Sequence, residues 1–119
     1  MWYGWLIEQS LDDQSVFNKL KTVKMQPVSE SSTWKSHVVA ISENDLTKTL
    51  FFLKQHLKPA WYAHLVKDNE IIVVFRSKDF RSSEGSDFSK IEKYGVAHGV
   101  PKEQMEIAPL FDLAREMGF

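Results

Sequence analysis

The hydrophobic pattern is clearest over residues 61–76, which read WYAHLVKDNEIIVVFR. Two runs of β-branched and aromatic residues flank Asp68-Asn69, a pair that can supply the positive φ angles of a two-residue hairpin turn. The turn predicts a β-hairpin in which residue 64 faces 73, 62 faces 75 and 61 faces 76. Both faces of this hairpin are largely apolar, so both require cover.

Further segments of the chain have strand or helix patterns. Residues 2–9, 21–28 and 34–42 predict strands, and Pro27 places the second of them at a sheet edge because proline cannot donate to a ladder. Caps followed by apolar residues predict helices after Asp12 or Asp13, from Ser42 to Leu57, from a Ser86 cap to a stop at Gly99, and over 109–117. Residues 29–32 predict a loop, and residues 104–108 fit a short terminal strand.

The order of these elements predicts an α+β fold over a single domain, residues 1–119. We expect an antiparallel sheet with helices on one face, and the first six elements match a ferredoxin-like βαββαβ plan. An extra hairpin strand and a C-terminal tail follow that unit. A chain of 119 residues is long enough to bury one core without disulfides.

Composition narrows the classes of function. Fifteen basic and sixteen acidic residues give a net charge of −1, so no global field attracts nucleic acid or an anionic membrane. Cysteine is absent, which excludes disulfides, thiolate catalysis and cysteine-ligated metal sites. The opening residues lack a basic leader and a long apolar run, so we expect a cytoplasmic protein without a membrane span.

Side chains that alternate along the predicted strands fall into two sets. One set is small at its centre, which suits close packing of helices: Gly4, Ser36, Ala40 and Ala63. The other set is bulky, and four of its members carry a polar tip: Tyr3, His37, Tyr62 and His64. The hairpin turn fixes this assignment for residues 61–76, whereas in the other strands it is assumed.

The bulky set is too apolar to stay in water, since burying one large side chain is worth roughly 1.5–3 kcal/mol. A second copy of the chain could cover it sheet on sheet, as a homodimer. The C-terminal segment could also cover it, because it carries Met105, Ile107, Leu110, Phe111, Leu113, Met117 and Phe119. A small ligand is the third candidate cover.

His37, Tyr62 and His64 are the candidate ligand-binding residues of the bulky set, because histidine titrates near neutrality. The alternative, which we favour, is that each histidine is a half-buried packing residue with one satisfied hydrogen bond. No third ligand stands at a recognised metal spacing, so we predict neither a metal nor a cofactor. No nucleophile, base and orienting group form a set, so no catalytic residue is assigned.

Arg76, Lys78 and Arg81 form a basic concentration next to Phe75 and Phe80. Such a combination can contact an anion or an RNA strand. The sequence lacks a glycine-rich phosphate loop, and acidic residues dilute the patch: Glu70, Asp79 and Glu84. A solvated sheet edge is therefore the better interpretation, and nucleic acid is not an expected partner.

Several stretches resemble a group of small single-domain prokaryotic proteins of unassigned function. They are Met1-Trp2-Tyr3, Leu6-Ile7-Glu8, Trp61-Tyr62-Ala63-His64, Ile71-Ile72-Val73-Val74-Phe75, Tyr94-Gly95, and Gly99-Val100-Pro101 with Gln104. The resemblance implies a compact intracellular domain and transfers no catalytic residue.

Taken together, these patterns favour a non-enzymatic association module, either a homodimer or a partner-binding domain that uses the bulky sheet face. The alternative is a small-molecule-binding domain or weak enzyme with a Tyr/His-lined site on the sheet. The sequence does not identify the partner or the ligand.

Overall fold

The computed structural model describes residues 1–13, 15, 17, 20–27 and 35–118, with backbone alone for 24–27. The strands are β1 (Trp2–Ile7), β2 (Lys21–Pro27), β3 (Lys35–Ile41), β4 (Tyr62–Lys67), β5 (Glu70–Phe75) and β6 (Lys78–Ser83). The helices are α1 (Glu43–His56), α2 (Ser89–Ala97) and α3 (Ala108–Glu116), and short 3-10 turns occupy Glu8–Ser10 and Lys102–Gln104. The predicted first helix and the loop over 29–32 lie wholly or partly outside the described residues.

The strands form a single antiparallel sheet in the spatial order β2-β3-β1-β4-β5-β6. The predicted α+β class with an antiparallel sheet is therefore confirmed. The strand that ends at Pro27 lies at one edge of the sheet, as its proline predicted.

The β4–β5 hairpin has the predicted register, because Tyr62 faces Phe75 and His64 faces Val73. Of the two turn residues, Asp68 takes the positive φ angle, 54°. A second two-residue turn at Arg76-Ser77 leads into β6, where Lys78 faces Phe75. The sequence of β6, KDFRSS, has little β-branched character, and its bounds were not predicted.

The ends of the helices agree only in part with the predicted caps. Ser42 is the N-cap of α1, although its hydroxyl donates to the Asp45 carboxylate, 3.0 Å away, and not to a backbone amide. The predicted cap at Ser86 is wrong: α2 begins at Ser89, whose backbone N–H donates to Asp87 Oδ1 over 2.9 Å. The predicted terminal strand over 104–108 is also wrong, since Ala108 already begins α3.

The end of α2 forms the glycine-dependent stop that the sequence indicated. Gly99 takes a φ angle of 97°, a region that glycine enters without a Cβ penalty. The backbone N–H of Val100 donates to the Gly95 carbonyl over 3.0 Å, and that of Gly99 donates to the Val96 carbonyl over 3.1 Å. This pair of bonds is a Schellman motif, which satisfies carbonyls at the helix end.

The side chains of β3 point opposite to the predicted assignment. Gly4 faces Val39 and Leu6 faces His37 across the β1–β3 pairing, so these residues share one face of the sheet. The prediction that His37 lies with Tyr62 and His64 is therefore wrong. Its cause is the assumed alternation of β3, which no turn residue fixed.

Helices cover both faces of the sheet, so the predicted placement of all helices on one face is wrong. We call the first face the α1 face, because its core includes three helix or post-helix leucines: Leu46, Leu53 and Leu57. The other, the α2 face, is packed against α2 and the C-terminal segment: Phe88, Ile91, Val100, Met105, Ile107 and Phe111. Of the three candidate covers, the C-terminal segment is the one present over β4 and β5.

Candidate functional site

Tyr62 and His64 lie two residues apart on the α2 face of β4, whereas His37 lies on the α1 face. The three predicted ligand-binding residues therefore do not form one site. The Tyr62 hydroxyl donates to the Gln104 carbonyl over 2.7 Å, and burial raises the pKa of this tyrosine. Its polar tip thus fastens the sheet to the C-terminal segment.

His64 is 7% exposed, and its Nε2 has no hydrogen-bond partner among the described residues. Burial lowers the pKa of His64 to about 4, so the ring is neutral at neutral pH. The interpretation that we favoured was a half-buried packing residue with one satisfied hydrogen bond. His64 is buried more deeply than that, and no bond to its Nε2 is found in the described part of the chain.

His37 is also buried, but it has a charged partner. Its Nε2 lies 2.7 Å from Glu8 Oε1, and an ionised carboxylate can only accept, so the ring proton is on Nε2. The Phe17 ring stacks on the imidazole with centroids 4.1 Å apart. The Nδ1 atom is buried without a partner in the described part of the chain.

The three basic residues of the predicted anion patch point in different directions. Lys78 lies over the Phe80 ring, 5.4 Å from its centroid, on the α2 face. Arg81 lies 5.0 Å from the Trp2 ring on the α1 face and pairs with Glu70 over 3.4 Å. Arg76 occupies the turn between β5 and β6, apart from both.

A cleft of about 290 Å³ opens at the end of the sheet where Arg76 lies. Its aromatic wall comes from Trp61, Phe75 and Tyr94, and its polar residues are Arg76, Ser77 and His98. The volume is close to the lower limit of small-molecule sites, about 300 Å³. We call this cavity the aromatic cleft.

Unusual backbone conformations concentrate around the aromatic cleft. Ala60 and Ser77 line it with φ angles of 69° and 70°, in the left-handed region that non-glycine residues rarely adopt. Gly99 is the neighbour of two lining residues, and a Cβ added to it would lie 3.1 Å from the Ala60 Cβ. Strained residues of this kind persist where the surrounding structure holds them, often at ligand-binding sites.

Arg76 is a lining residue of the cleft, and the end of α1 holds its guanidinium. Its Nη1 donates to the Leu57 carbonyl over 3.3 Å, and the same atom lies 3.9 Å from Asp12 Oδ2. The other oxygen of Asp12 lies 3.0 Å from His56 Nδ1. About half of the Arg76 side chain, 49%, is nevertheless exposed to solvent.

His98 lines the same cleft, and its ring has a defined orientation. Its Nδ1 lies 2.8 Å from the Tyr94 carbonyl oxygen, which can only accept, so Nδ1 carries a proton. In the neutral ring, Nε2 is then an acceptor. The imidazole also stacks on the Tyr94 ring, with centroids 4.0 Å apart, which fixes its orientation.

The side chains that line the aromatic cleft are of the kinds that bind small molecules. The cleft combines flat rings, a guanidinium and one imidazole acceptor. Over the described ranges, no three histidine, aspartate or glutamate side chains come together as a metal site would require.

Sequence reasoning did not find the aromatic cleft. It placed residue 61 opposite residue 76 across the hairpin. His56 ends α1 and His98 is the C-cap of α2, so a position at a helix end is a sufficient explanation for each histidine. The sequence shows aromatic or basic residues at the ends of the β4–β5 hairpin, of α1 and of α2. It does not show that these three ends lie next to one another in the fold.

Comparison with protein-family models, curated proteins and solved structures gave no match. The resemblance to small prokaryotic proteins therefore stays a prediction. None of the helices in the described residues has both the length and the apolar character needed to cross a bilayer.

Proposed function

We propose that the protein is a small-molecule-binding module whose site is the aromatic cleft. The observation that carries this proposal is the meeting of three rings, Arg76 and His98 around one cavity of about 290 Å³. The left-handed Ala60 and Ser77 support it, because such backbone strain is often retained at functional sites.

The proposal moves the site away from the sheet face that the sequence favoured. That face was expected to need a cover, either a second chain, the C-terminal segment or a ligand. Met105, Ile107 and Phe111 of the C-terminal segment are each at most 2% exposed in the core that covers it. The cleft keeps two features of the alternative hypothesis, an aromatic hydroxyl residue and a histidine. These are now Tyr94 and His98, in place of Tyr62 and His64.

Titration with indole, followed by ¹H–¹⁵N correlation spectra, tests the binding function. Indole is flat, uncharged and small enough for the cleft, so we expect saturable shifts at Trp61, Ser77 and His98. Tyr94→Leu removes one wall while keeping an apolar side chain, and it should weaken binding. Tyr3→Leu is the matched control, because Tyr3 faces Val66 at the opposite end of β4.

Two outcomes would contradict the binding function. One is an absence of saturable shifts around the cleft at millimolar indole. The other is an equal weakening by Tyr94→Leu and Tyr3→Leu, which would show that the shifts report a general change of the fold.

Association as a homodimer is a second candidate, and one observation favours it. β6 is the outermost strand of its edge of the sheet, and outer strands can pair with another chain. Antiparallel self-pairing centred on Phe80 would place Asp79 opposite Arg81 of the partner subunit, a favourable cross-strand charge pair. Light scattering after size exclusion tests it: Arg81→Asp should give monomers, and the added change Asp79→Arg should restore dimers.

Three finer assignments also remain proposals. The ferredoxin-like plan is supported by the spatial order β2-β3-β1-β4 and by α1 standing between β3 and β4 in the chain. A cytoplasmic location is supported by the cysteine-free composition. The kinship with small single-domain prokaryotic proteins is supported by the sequence stretches given above.

A further inference from the structure

We infer that the aromatic cleft selects a planar aromatic ligand that carries a single carboxylate. The inference rests on the binding function proposed above and adds the chemical class of the ligand. It follows from the donors left on Arg76, from the charges around the cleft, and from the flat rings of its wall.

Among the described residues, the guanidinium of Arg76 has hydrogen-bond donors without a partner. It carries five N–H groups, and the hydrogen bond to the Leu57 carbonyl uses one of them. Asp12 lies 3.9 Å away, beyond hydrogen-bond distance, so it interacts with the charge without occupying a donor. A planar, half-exposed guanidinium whose other donors have no partner in the described part of the chain matches the two oxygens of a carboxylate.

The charges near Arg76 favour a monoanion over a multiply charged phosphate. Asp12 offsets part of the Arg76 charge. The nearby ammonium of Lys54 is paired with Asp79 over 3.4 Å. The Lys78 ammonium lies over the Phe80 ring, 5.4 Å from its centroid, and is not part of the lining. The lining itself therefore carries one permanent positive charge, that of Arg76, which suits a carboxylate better than a polyphosphate.

The wall of the cleft favours a flat ring. The Tyr94 ring lies 5.0 Å from Phe75 and 4.0 Å from His98, centroid to centroid, so these rings hold one another in place. Phe75 is 3% exposed, so the partly exposed rings of Trp61 and Tyr94 are the surfaces on which a planar ligand can stack. Ordered aromatic surfaces bind such a ligand by offset stacking or edge contacts, at small cost in side-chain entropy. The Nε2 acceptor of His98 can also take a hydrogen bond from a ring N–H.

A matched pair of probes tests this class: indole-3-carboxylate and indole-3-carboxamide. They share the ring and nearly the same shape, but only the first is charged. We expect both to shift the Trp61 and Ser77 amide signals at neutral pH, and the carboxylate to bind about tenfold more tightly, since a hydrogen bond to a charged group carries that difference.

Variants that each remove one positive charge show which residue causes the preference for the carboxylate. Arg76→Gln should remove the preference for the carboxylate and leave carboxamide binding nearly unchanged. Arg81→Gln removes the same charge beside the Trp2 ring, outside the lining of the cleft, and should keep the preference. Arg76→Lys keeps the charge but loses the planar guanidinium, so it should keep part of the preference. This variant replaces Arg76→Gln in the test if Arg76→Gln does not fold.

The outcomes separate this inference from the binding function. If neither probe shifts the cleft signals, the binding function itself is wrong. If both bind equally to the unaltered protein, the cleft is a binding site but the carboxylate class is overturned. If Arg81→Gln abolishes the preference as fully as Arg76→Gln does, the preference is a general charge effect and the inference is also overturned.

Discussion

The imidazole of His64 lies nearly parallel to the indole of Trp5, with ring centroids 5.0 Å apart and an interplanar angle of 14°. The two residues face each other across the β1–β4 pairing. The stack buries a titratable ring in an apolar layer, and burial lowers the pKa of His64 from 6.5 to about 4. The proton affinity of His64 therefore differs between the folded and unfolded chain.

This difference predicts an acid-sensitive stability. Between pH 6.5 and about 4, the unfolded chain protonates His64 and the folded chain does not. The free energy of unfolding should therefore be highest above pH 6.5 and fall as the pH falls through this range, by roughly 3 kcal/mol from His64 alone. Urea denaturation at a series of pH values measures it.

His64→Gln isolates that contribution, because glutamine has no proton to gain. The variant should lose most of the slope between pH 6.5 and 4 relative to the unaltered protein. A slope that survives His64→Gln in full would assign the acid sensitivity to other groups.

Gly95 predicts a second outcome, on the packing of α2 against the C-terminal segment. Alanine in place of a helical glycine normally stabilises by about 1 kcal/mol. At Gly95, however, the new Cβ would overlap the Met105 side chain and approach Phe75 Cε1 to 3.1 Å. Overpacking costs about 1–3 kcal/mol, so Gly95→Ala should destabilise the protein overall.

The pairing with Met105 can be checked by a double-mutant cycle in urea. Met105→Ala alone should destabilise, because Met105 is 2% exposed in the core of the α2 face. In the Met105→Ala background, Gly95→Ala should become neutral or stabilising, since the obstructing sulfur is gone. Strict additivity of the two changes would contradict the close approach.

The contrast between Asp68 and His37 shows how far sequence reasoning reached. Asp68 belongs to a turn that fixes its hairpin locally, so the facing pairs of β4 and β5 could be predicted. His37 lies in a strand whose orientation depends on pairing with β1, about thirty residues earlier. A shift by one residue moves every side chain to the other face, and no local residue excluded it.

The aromatic cleft could not be predicted from the sequence, for a related reason. Trp61 begins a hairpin, Arg76 ends it, and His98 ends α2, so each residue has a sufficient local explanation. Their shared cavity exists because α2 folds back over the end of the sheet. That return depends on the packing of Val100 and Met105, which the sequence marked as apolar but could not assign to a face.

The contact between His37 and Glu8 leads to a third prediction. Removing the acceptor by Glu8→Ala leaves the buried Nε2 of His37 without its 2.7 Å partner, and an unpaired buried donor costs about 1–3 kcal/mol. Glu8→Gln keeps an acceptor oxygen in place and should cost less. Both values come from urea denaturation at pH 7, and an equal loss in the two variants would show that the hydrogen bond contributes little.

The left-handed Ala60 leads to the last prediction. A residue with a Cβ pays roughly 1–2 kcal/mol in this conformation, whereas glycine enters it without that cost. Ala60→Gly should therefore stabilise the protein by about 0.5–1 kcal/mol, after the greater flexibility of glycine in the unfolded chain is subtracted. Ala97→Gly, in the last turn of α2, is the matched control and should lower the stability by a similar amount. Thermal and urea denaturation measure both changes. If Ala60→Gly lowers the stability, contacts of the Ala60 methyl group hold the loop, and the loop stores no backbone strain.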